Sequence, residues 1–228
     1  MDEADDVVGT SKEKRLVGEA AALLVRPGMS VGLGTGSTVA YLLAALAARD
    51  LDIACVATSH ATFDVAARLG LRVRRFDGLD HLDMAIDGAD QVDPSGWLVK
   101  GAGGAQTREK IVAASATRFV VIVSSNKVVA SLAPPVPLEL MAFGLDTTLR
   151  ALGDVRLRDR PTSPDGGVLA EYLGPIDDPG ELSRRLDAIP GVVSHGLFEP
   201  SLVSDILVGR GTEVEVRRSG GREERAVT

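Results

Sequence analysis

The sequence has little of two residue types that often mark a function. Of its 228 residues, one is cysteine and three are histidine. Cys55 lies in an apolar run, so we expect a buried thiol, and a lone cysteine excludes a disulfide framework and a cysteine-based metal cluster. His60, His81 and His195 have no metal-ligand spacing and are read as structural or surface residues. Only His60 follows a predicted strand end closely enough to approach a site there.

Charge and hydropathy exclude two further classes. The net charge is −7, from 25 Lys and Arg against 32 Asp and Glu, with no dense basic stripe, so no nucleic-acid partner is expected. A small anionic substrate remains compatible, because a few lysines and backbone amides suffice to hold a phosphate. No apolar run approaches the length of a membrane span, and the acidic residues 1–6 are unlike a signal peptide. We therefore expect a cytoplasmic protein without a membrane partner.

Strands alternate with helices through the first part of the chain. The apolar pattern predicts helices from Ser11 and over 38–48, 61–69 and about 107–116, with strands over 29–33, 51–57, 71–76, 84–86, 97–99 and 119–123. This alternation predicts a Rossmann-like α/β domain, a parallel sheet with helices on both faces. Ligands bind such sheets beyond the carboxyl ends of the strands.

The pattern changes at the proline-rich segment 133–137. The order after it is strand 136–142, helix 145–152, strands 154–158 and 167–172, helix 179–188 and strand 192–198. This βαββαβ order predicts a smaller α+β domain of the ferredoxin-like type. Two more strands, 203–208 and 213–216, are expected to return to the first domain, and 217–228 to be a frayed tail. The predicted domains are 1–133 with 200–228, and 134–199.

Three polar or glycine-rich segments fall at the carboxyl ends of predicted strands. Residues 32–38 (Gly-Leu-Gly-Thr-Gly-Ser-Thr) open a helix, where glycine amides, hydroxyls and the helix dipole favour an anion. They lack the Gly-Lys pair of a Walker A loop, and Ser37 replaces the third glycine of a dinucleotide fingerprint. A cradle for a small monophosphate fits them better than a plain tight turn does.

The second segment, Asp87-Gly88-Ala89-Asp90, closes a strand with two carboxylates three residues apart. The two side chains could converge on one polyol or one metal, or they could form the Asx hydrogen bonds of a β-turn. A divalent metal would need further ligands, and Asp93 is the one close candidate. The residues alone leave these readings open.

The third segment carries an acid beyond a glycine loop. An apolar strand ends on Lys100, the loop 101–104 follows, and Glu109 stands near the start of a new helix. Glycines let the backbone approach a ligand closely, and a carboxylate just beyond such a loop is placed to move a proton on what the loop holds. A flexible connection with a solvated Glu109 is the alternative reading.

Together these motifs resemble the A-type ribose-5-phosphate isomerase family. The resemblance rests on residues 32–38, 87–90, 100–105 and 108–110, supported by 135–139, 189–193 and 196–198, and it spans residues 14 to 209. It implies an aldose–ketose isomerase that interconverts D-ribose 5-phosphate and D-ribulose 5-phosphate through an enediolate, in the non-oxidative pentose phosphate pathway. It also implies no metal, no organic cofactor, and a homodimer or homotetramer.

The resemblance implies roles at the matching positions. Glu109 corresponds to the catalytic base, with Lys100, Asp87 and Asp90 sharing in the chemistry. The implied substrate-binding positions are Lys14, Thr35, Gly36, Ser37, Thr38, Asp87, Gly88, Ala89, Asp90, Lys100, Gly101, Ala102, Gly103 and Lys127. Two residues depart from the family pattern. Ala102 stands where glycine is common, which would alter the loop if that position needed a positive φ, and Gln91 replaces the usual glutamate.

The same residues suggest two other kinds of function. A non-catalytic sugar-phosphate sensor would be expected to carry a DNA-binding module, and no helix-turn-helix with a basic recognition helix accompanies the domain. A coenzyme A transferase or a sugar-phosphate deaminase on a related scaffold stays open. A covalent transferase needs a nucleophilic glutamate, and Glu109 could supply one.

Overall fold

The computed structural model describes residues 3–77, 81–159, 162–218 and 223–226. Within these ranges the helices are α1 Glu3–Leu24, α2 Ser37–Ala48, α3 His60–Arg68, α4 Gln106–Ala114, α5 Leu145–Leu152 and α6 Pro179–Asp187. The strands are β1 Ser30–Leu33, β2 Ala54–Ala57, β3 Val73–Arg74, β4 Leu82–Asp87, β5 Gln91–Val92, β6 Leu98–Val99, β7 Ala116–Ser124, β8 Val136–Leu140, β9 Val155–Leu157, β10 Val168–Tyr172, β11 Val192–His195, β12 Leu197–Phe198, β13 Asp205–Arg210, β14 Glu213–Arg218 and β15 Glu223–Ala226.

The chain divides into two compact units. The first consists of Met1–Gly88, Ile111–Val128 and Ser201–Thr228, and the second of Ala89–Lys110 and Val129–Pro200. The domain boundaries at residues 133 and 200 stay a prediction. In the described part of the chain, no helix is both long and apolar enough to cross a membrane.

The first unit is built on one eight-stranded sheet in the order β15-β14-β13-β7-β4-β1-β2-β3. All neighbours from β3 to β13 are parallel, and β14 and β15 add an antiparallel edge. Numbered along the chain, the six parallel strands have the order 3-2-1-4-5-6 of a doubly wound fold. The direction of winding reverses between β1 and β4. Ligands of such sheets bind beyond the carboxyl ends of these two strands.

Helices α1 and α2 cover the centre of this sheet. Their apolar faces pack on the buried residues of β1, β4 and β7, and Cys55 on β2 is fully buried in the same core. Leu42 and Leu46 of α2 are wholly buried, and each such leucine contributes about 1.5–3 kcal/mol relative to an exposed one. This packing fixes α2, and with it the loop that connects β1 to Ser37.

The second unit contains two smaller antiparallel sheets. Strands β8 to β11 form a four-stranded sheet in the order β11-β8-β10-β9, on which α5 and α6 contribute Leu152, Leu182 and Leu186 to the core. Strands β5, β6 and β12 form a three-stranded sheet in the order β12-β6-β5. The fold class predicted from the sequence, a Rossmann-like α/β domain with a smaller α+β part, is confirmed.

Three details of the predicted elements were wrong. Helix α1 begins at Glu3 instead of Ser11. The predicted strand 192–198 is two strands in different sheets, which separate at Gly196, where the backbone passes so close to Lys100 that an added Cβ would lie 2.2 Å from the Lys100 carbonyl oxygen. Within the expected frayed tail, Arg217 and Arg218 belong to β14 and residues 223–226 pair with it as β15; residues 219–222 and 227–228 lie outside the described residues.

Candidate active site

In the first unit, the loop after β1 is joined to the end of β4. The Gly34 N–H donates to the Ile86 carbonyl (2.9 Å), and the Thr35 N–H donates to Asp87 Oδ1 (3.0 Å). The Gly88 N–H donates to the same oxygen (2.7 Å). Asp87 is buried, with 3% of its surface exposed. Two backbone N–H donors therefore fix its carboxylate at the carboxyl ends of β1 and β4, between which the direction of winding reverses.

Gly34 is required by the closeness of this contact. An ideal Cβ on Gly34 would lie 1.9 Å from Asp87 Cγ and 2.5 Å from Asp87 Cβ, well inside van der Waals separation. A side chain at position 34 would force either the loop or Asp87 to move.

We expect Gly34→Ala to lower the free energy of unfolding by about 1–3 kcal/mol, the usual cost of overpacking a tight site. Denaturant titration of the variant against the parent measures the change. Gly9→Ala is the comparison: an added Cβ there meets nothing within 4 Å, so alanine inside α1 should raise the free energy of unfolding by about 0.5–1 kcal/mol. An unchanged unfolding midpoint for Gly34→Ala would contradict the contact.

The Thr35 side chain joins a cluster of hydroxyls that the sequence did not indicate. Its Oγ1 lies 2.9 Å from Thr58 Oγ1, 2.8 Å from Ser59 Oγ and 3.2 Å from Thr62 Oγ1. Thr62 in turn donates to the Gly34 carbonyl (2.9 Å), and Ser59 caps α3 by accepting from the Thr62 N–H. The sequence pointed to His60 as the residue of this segment that could approach a site, but His60 is exposed. The hydroxyl groups of the neighbouring Thr58, Ser59 and Thr62 are what hold the loop after β1.

The loop ends at the N-terminus of α2. Gly36 is the N-cap, with φ 127°, and Ser37 and Thr38 form the first turn. Since glycine has no side chain to cap the helix, the N–H groups of the first turn face outward with the positive end of the helix dipole. This is the geometry of an anion site, and Ser37 is exposed beside it.

The segments of the two predicted phosphate lysines are tied together by Glu13, a residue the sequence did not single out. Glu13 Oε2 accepts from the Ser125 N–H (2.9 Å) and hydroxyl (2.7 Å), and Oε1 accepts from the Gly211 N–H (2.9 Å). Burial alone would raise the pKa of Glu13, but these hydrogen bonds outweigh it and the pKa lies below its usual value. An ionised Glu13 thus joins the helix that carries Lys14 to the turn that carries Lys127.

In the second unit, Lys100 and Glu109 form a buried ion pair. Lys100 Nζ lies 3.3 Å from Glu109 Oε2, and their side chains are 3% and 5% exposed. The Lys100 ammonium also lies 5.4 Å from the centre of the Phe198 ring, a distance at which a cation is attracted to an aromatic face. The reading of Glu109 as a solvated acid on a flexible connection is therefore wrong.

Asp90 and the loop 101–103 meet in the same unit. Asp90 Oδ2 accepts from the Ala102 N–H (2.9 Å). Gly101 has a φ of 103°, whereas Ala102 does not take a positive φ, so the alanine is accommodated without backbone strain. Gln91, the second departure from the family pattern, is accommodated as well. Its amide both donates to and accepts from the backbone of Ala133 (2.8 Å each), which an ionised glutamate could not do.

The remaining polar candidates have structural partners. Asp93 Oδ1 accepts from the N–H groups of Ser95 and Trp97 (2.9 Å each) and so closes the β5–β6 turn. His195 is 1% exposed and its Nε2 lies 3.1 Å from Asp187 Oδ1; burial lowers its pKa to about 4, which keeps it neutral at pH 7. The described residues contain no group of three or more His, Cys, Asp or Glu that could hold a metal.

Each unit thus gathers part of the predicted set. The first unit joins the Thr35 loop to Asp87 and the Lys14 helix to the Lys127 turn, and the second unit joins Asp90, the 100–103 loop and Glu109.

Comparison with known proteins identifies the family. The family described as ribose 5-phosphate isomerase A (phosphoriboisomerase A) matches residues 54–213. The chain is 42% identical over 222 residues to ribose-5-phosphate isomerase A of Roseiflexus sp. (strain RS-1), covering 90% of this chain and 95% of that protein. It is 43% identical over 214 residues to the protein of the same name from Methanosarcina acetivorans, covering 87% and 91%.

Solved structures agree with the sequence relatives. Ribose 5-phosphate isomerase A from Neisseria gonorrhoeae superposes with a TM-score of 0.88 at 29% identity, covering 93% of this chain and 98% of that one. The enzyme from Methanocaldococcus jannaschii gives 0.83 at 33% identity, covering 90% and 98%. A further D-ribose-5-phosphate isomerase, solved in complex with phospho-erythronic acid, gives 0.86 at 31% identity, covering 92% and 99%. The chain therefore belongs to the ribose-5-phosphate isomerase A family.

Proposed function

We propose that this chain interconverts D-ribose 5-phosphate and D-ribulose 5-phosphate, with Glu109 as the base. The observation that carries the assignment of the base is the buried Glu109–Lys100 pair, with 3.3 Å between its charged atoms. Family membership makes the chain an aldose–ketose isomerase of the pentose phosphate pathway. The sensor, transferase and deaminase alternatives are not favoured by any of these relatives.

The reaction requires one base that removes a proton from the carbon beside the carbonyl and returns it to the neighbouring carbon. A positioned carboxylate does both, and such catalysis contributes roughly 10²–10⁴-fold. The charge balance favours the pair. When Glu109 takes the proton it becomes neutral, and the negative charge passes to the enediolate oxygen. The Lys100 ammonium is then available to stabilise that oxygen together with loop N–H groups.

The two aspartates and the phosphate residues complete the proposed roles. Asp87 and Asp90 hold and exchange protons with the sugar hydroxyls, including during ring opening. The first turn of α2, with Ser37, Thr38 and the lysines Lys14 and Lys127, holds the phosphate, so that binding energy remote from the reacting carbons fixes the orientation of the substrate. A sugar-acid phosphate, phospho-erythronic acid, is the ligand of one structural relative, which supports this class of substrate. A homodimer or homotetramer in the cytoplasm completes the proposal.

A coupled assay tests the function and the predicted independence from metals together. Purified protein is dialysed exhaustively against a chelator, and formation of ribulose 5-phosphate from ribose 5-phosphate is followed without added metal. We expect turnover equal to that of the undialysed protein, since Asp87 and Asp90 are assigned to hydroxyl groups. Activity that is lost on chelation and restored by a divalent ion would instead make the aspartates metal ligands. No turnover under either condition would refute the isomerase assignment.

A further inference from the structure

The loop 101–103, which the proposed function assigns to the substrate, accepts hydrogen bonds from Arg158, a residue that has no role in the proposed function. Arg158, which follows β9, donates from a single nitrogen, Nη1, to the carbonyl oxygens of Gly101 (3.0 Å) and Ala102 (3.2 Å). These carbonyls belong to the two peptide groups on either side of Ala102, Gly101–Ala102 and Ala102–Gly103. One guanidinium thus contacts two successive peptide groups of the loop.

Arg158 is itself firmly placed. Its Nε donates to Glu171 Oε1 (3.1 Å), and its side chain is 9% exposed. Burial would raise the pKa of Glu171, but Arg156 and Arg158 outweigh it, so that the pKa lies below its usual value and the carboxylate stays ionised. Arg156 pairs with the other oxygen, Oε2 (2.6 Å), from a position where its side chain is 64% exposed. The two arginines share one carboxylate, and the Gly101 and Ala102 carbonyls accept from Arg158.

The peptide between Gly101 and Ala102 is fixed at both ends. Its carbonyl accepts from Arg158, and its N–H donates to Asp90 Oδ2 (2.9 Å). In the next peptide, the Ala102 carbonyl points at the guanidinium, so the planar trans geometry directs the Gly103 N–H to the opposite side. When the carbonyl of a peptide group accepts from a cation, the N–H of the same peptide group becomes a stronger donor, because hydrogen bonds in a chain polarise one another.

Within the loop, the Gly101 carbonyl also accepts from the Gly104 N–H (2.9 Å). That hydrogen bond does not remove the repulsion between the Gly101 and Ala102 carbonyl oxygens, which converge on one point where Arg158 places a positive group. Gly101, at φ 103°, belongs to the residue type that tolerates other backbone conformations most readily, so a peptide flip would relieve the repulsion. We propose that Arg158 is a positioning residue for the isomerisation: it holds the peptides on either side of Ala102 so that the Gly103 N–H keeps the orientation that serves the reacting oxygen. This inference rests on the proposed function of the loop.

The kinetic test compares Arg158→Met with Arg156→Met. Methionine keeps a long unbranched side chain in both variants, and both lose one partner of Glu171, but only the first loses the contact with the loop. We expect Arg158→Met to lower kcat by about 10²-fold, the effect of displacing a reacting group by roughly an ångström, with a smaller change in KM because the phosphate residues are untouched. Arg156→Met should keep kcat within about twofold, as exposed ion pairs contribute little.

Arg158→Lys adds a conservative rescue and carries the test if Arg158→Met does not fold. A lysine ammonium keeps the charge but lacks the planar fork that also bonds Glu171, so we expect a kcat between those of the parent and Arg158→Met. Equal kcat for the parent and both Arg158 variants would overturn the inference while leaving the isomerase assignment intact.

Hydrogen exchange of the loop amides 101–104 gives a readout that does not depend on turnover. Faster exchange in Arg158→Met than in Arg156→Met supports the anchor. Equal exchange in the two variants overturns it, even if the parent isomerises ribose 5-phosphate normally. A parent that does not isomerise the substrate refutes the proposed function, and the exchange comparison then still decides whether Arg158 holds the loop.

Discussion

Glu109→Gln is expected to lower kcat by roughly 10²–10⁴-fold, the contribution of a positioned general base. Glutamine keeps the size of the side chain and can still accept a hydrogen bond from Lys100, but it cannot take up the substrate proton at neutral pH. Steady-state measurement of the rate of ribulose 5-phosphate formation gives kcat. Binding of ribose 5-phosphate to the variant, measured by calorimetry, should persist, because binding does not require proton transfer.

Two further variants separate the base from a general loss of structure. Glu181→Gln, in the exposed first turn of α6, is the matched control and should leave turnover unchanged. Glu109→Asp keeps the carboxylate but withdraws it by one methylene, so its kcat should lie between those of the parent and Glu109→Gln. Retention of more than about a tenth of the parental kcat in Glu109→Gln would contradict a general-base contribution of this size and would move the role to Asp87 or Asp90.

Ser37→Ala combined with Lys127→Ala is expected to raise KM for ribose 5-phosphate by about 10²–10⁴-fold. Each variant removes one charge-assisted hydrogen bond to the phosphate, and each such bond contributes about 1.5–3 kcal/mol. Efficiency on free ribose, which lacks the phosphate, should change far less. Initial-rate measurements on the two sugars give the comparison, and Lys12→Ala, an exposed lysine of α1, controls for the loss of a surface charge.

An equal loss of efficiency on ribose and on ribose 5-phosphate would contradict the assignment of the phosphate. The α2 turn would then be shaping the reacting end of the pocket. The loop from Lys100 to Gly104 would then be the next candidate for the phosphate site.

The sequence predicted the elements and the polar ends of the strands, since these depend on local periodicity and on where glycines and acids interrupt it. The sequence did not decide whether Glu109 is buried, because a glutamate near a helix start has the same sequence pattern whether it is solvated or paired. The fold decides it, by placing Lys100 Nζ 3.3 Å from Glu109 Oε2. The partners that hold the loops were missed. Glu13 contacts Ser125 across 112 positions of the chain, and Arg158 contacts Gly101 across 57.

The missed secondary structure has a similar cause. The strand after residue 218 is charged and short, with no apolar alternation, and what makes it a strand is backbone pairing with β14. The break at Gly196 depends on how closely the backbone passes the Lys100 carbonyl, which no local pattern records. Contacts between distant segments decide both.

The burial of Cys55 provides a way to measure local unfolding of the first unit. The thiol is fully covered in the core, and burial raises its pKa to about 11, so at neutral pH almost none of it is the thiolate that reacts with alkylating reagents or disulfides. Modification therefore has to wait for the strands around it to separate. Because it is the chain's one cysteine, its labelling rate reports opening of this sheet alone, without any engineered probe.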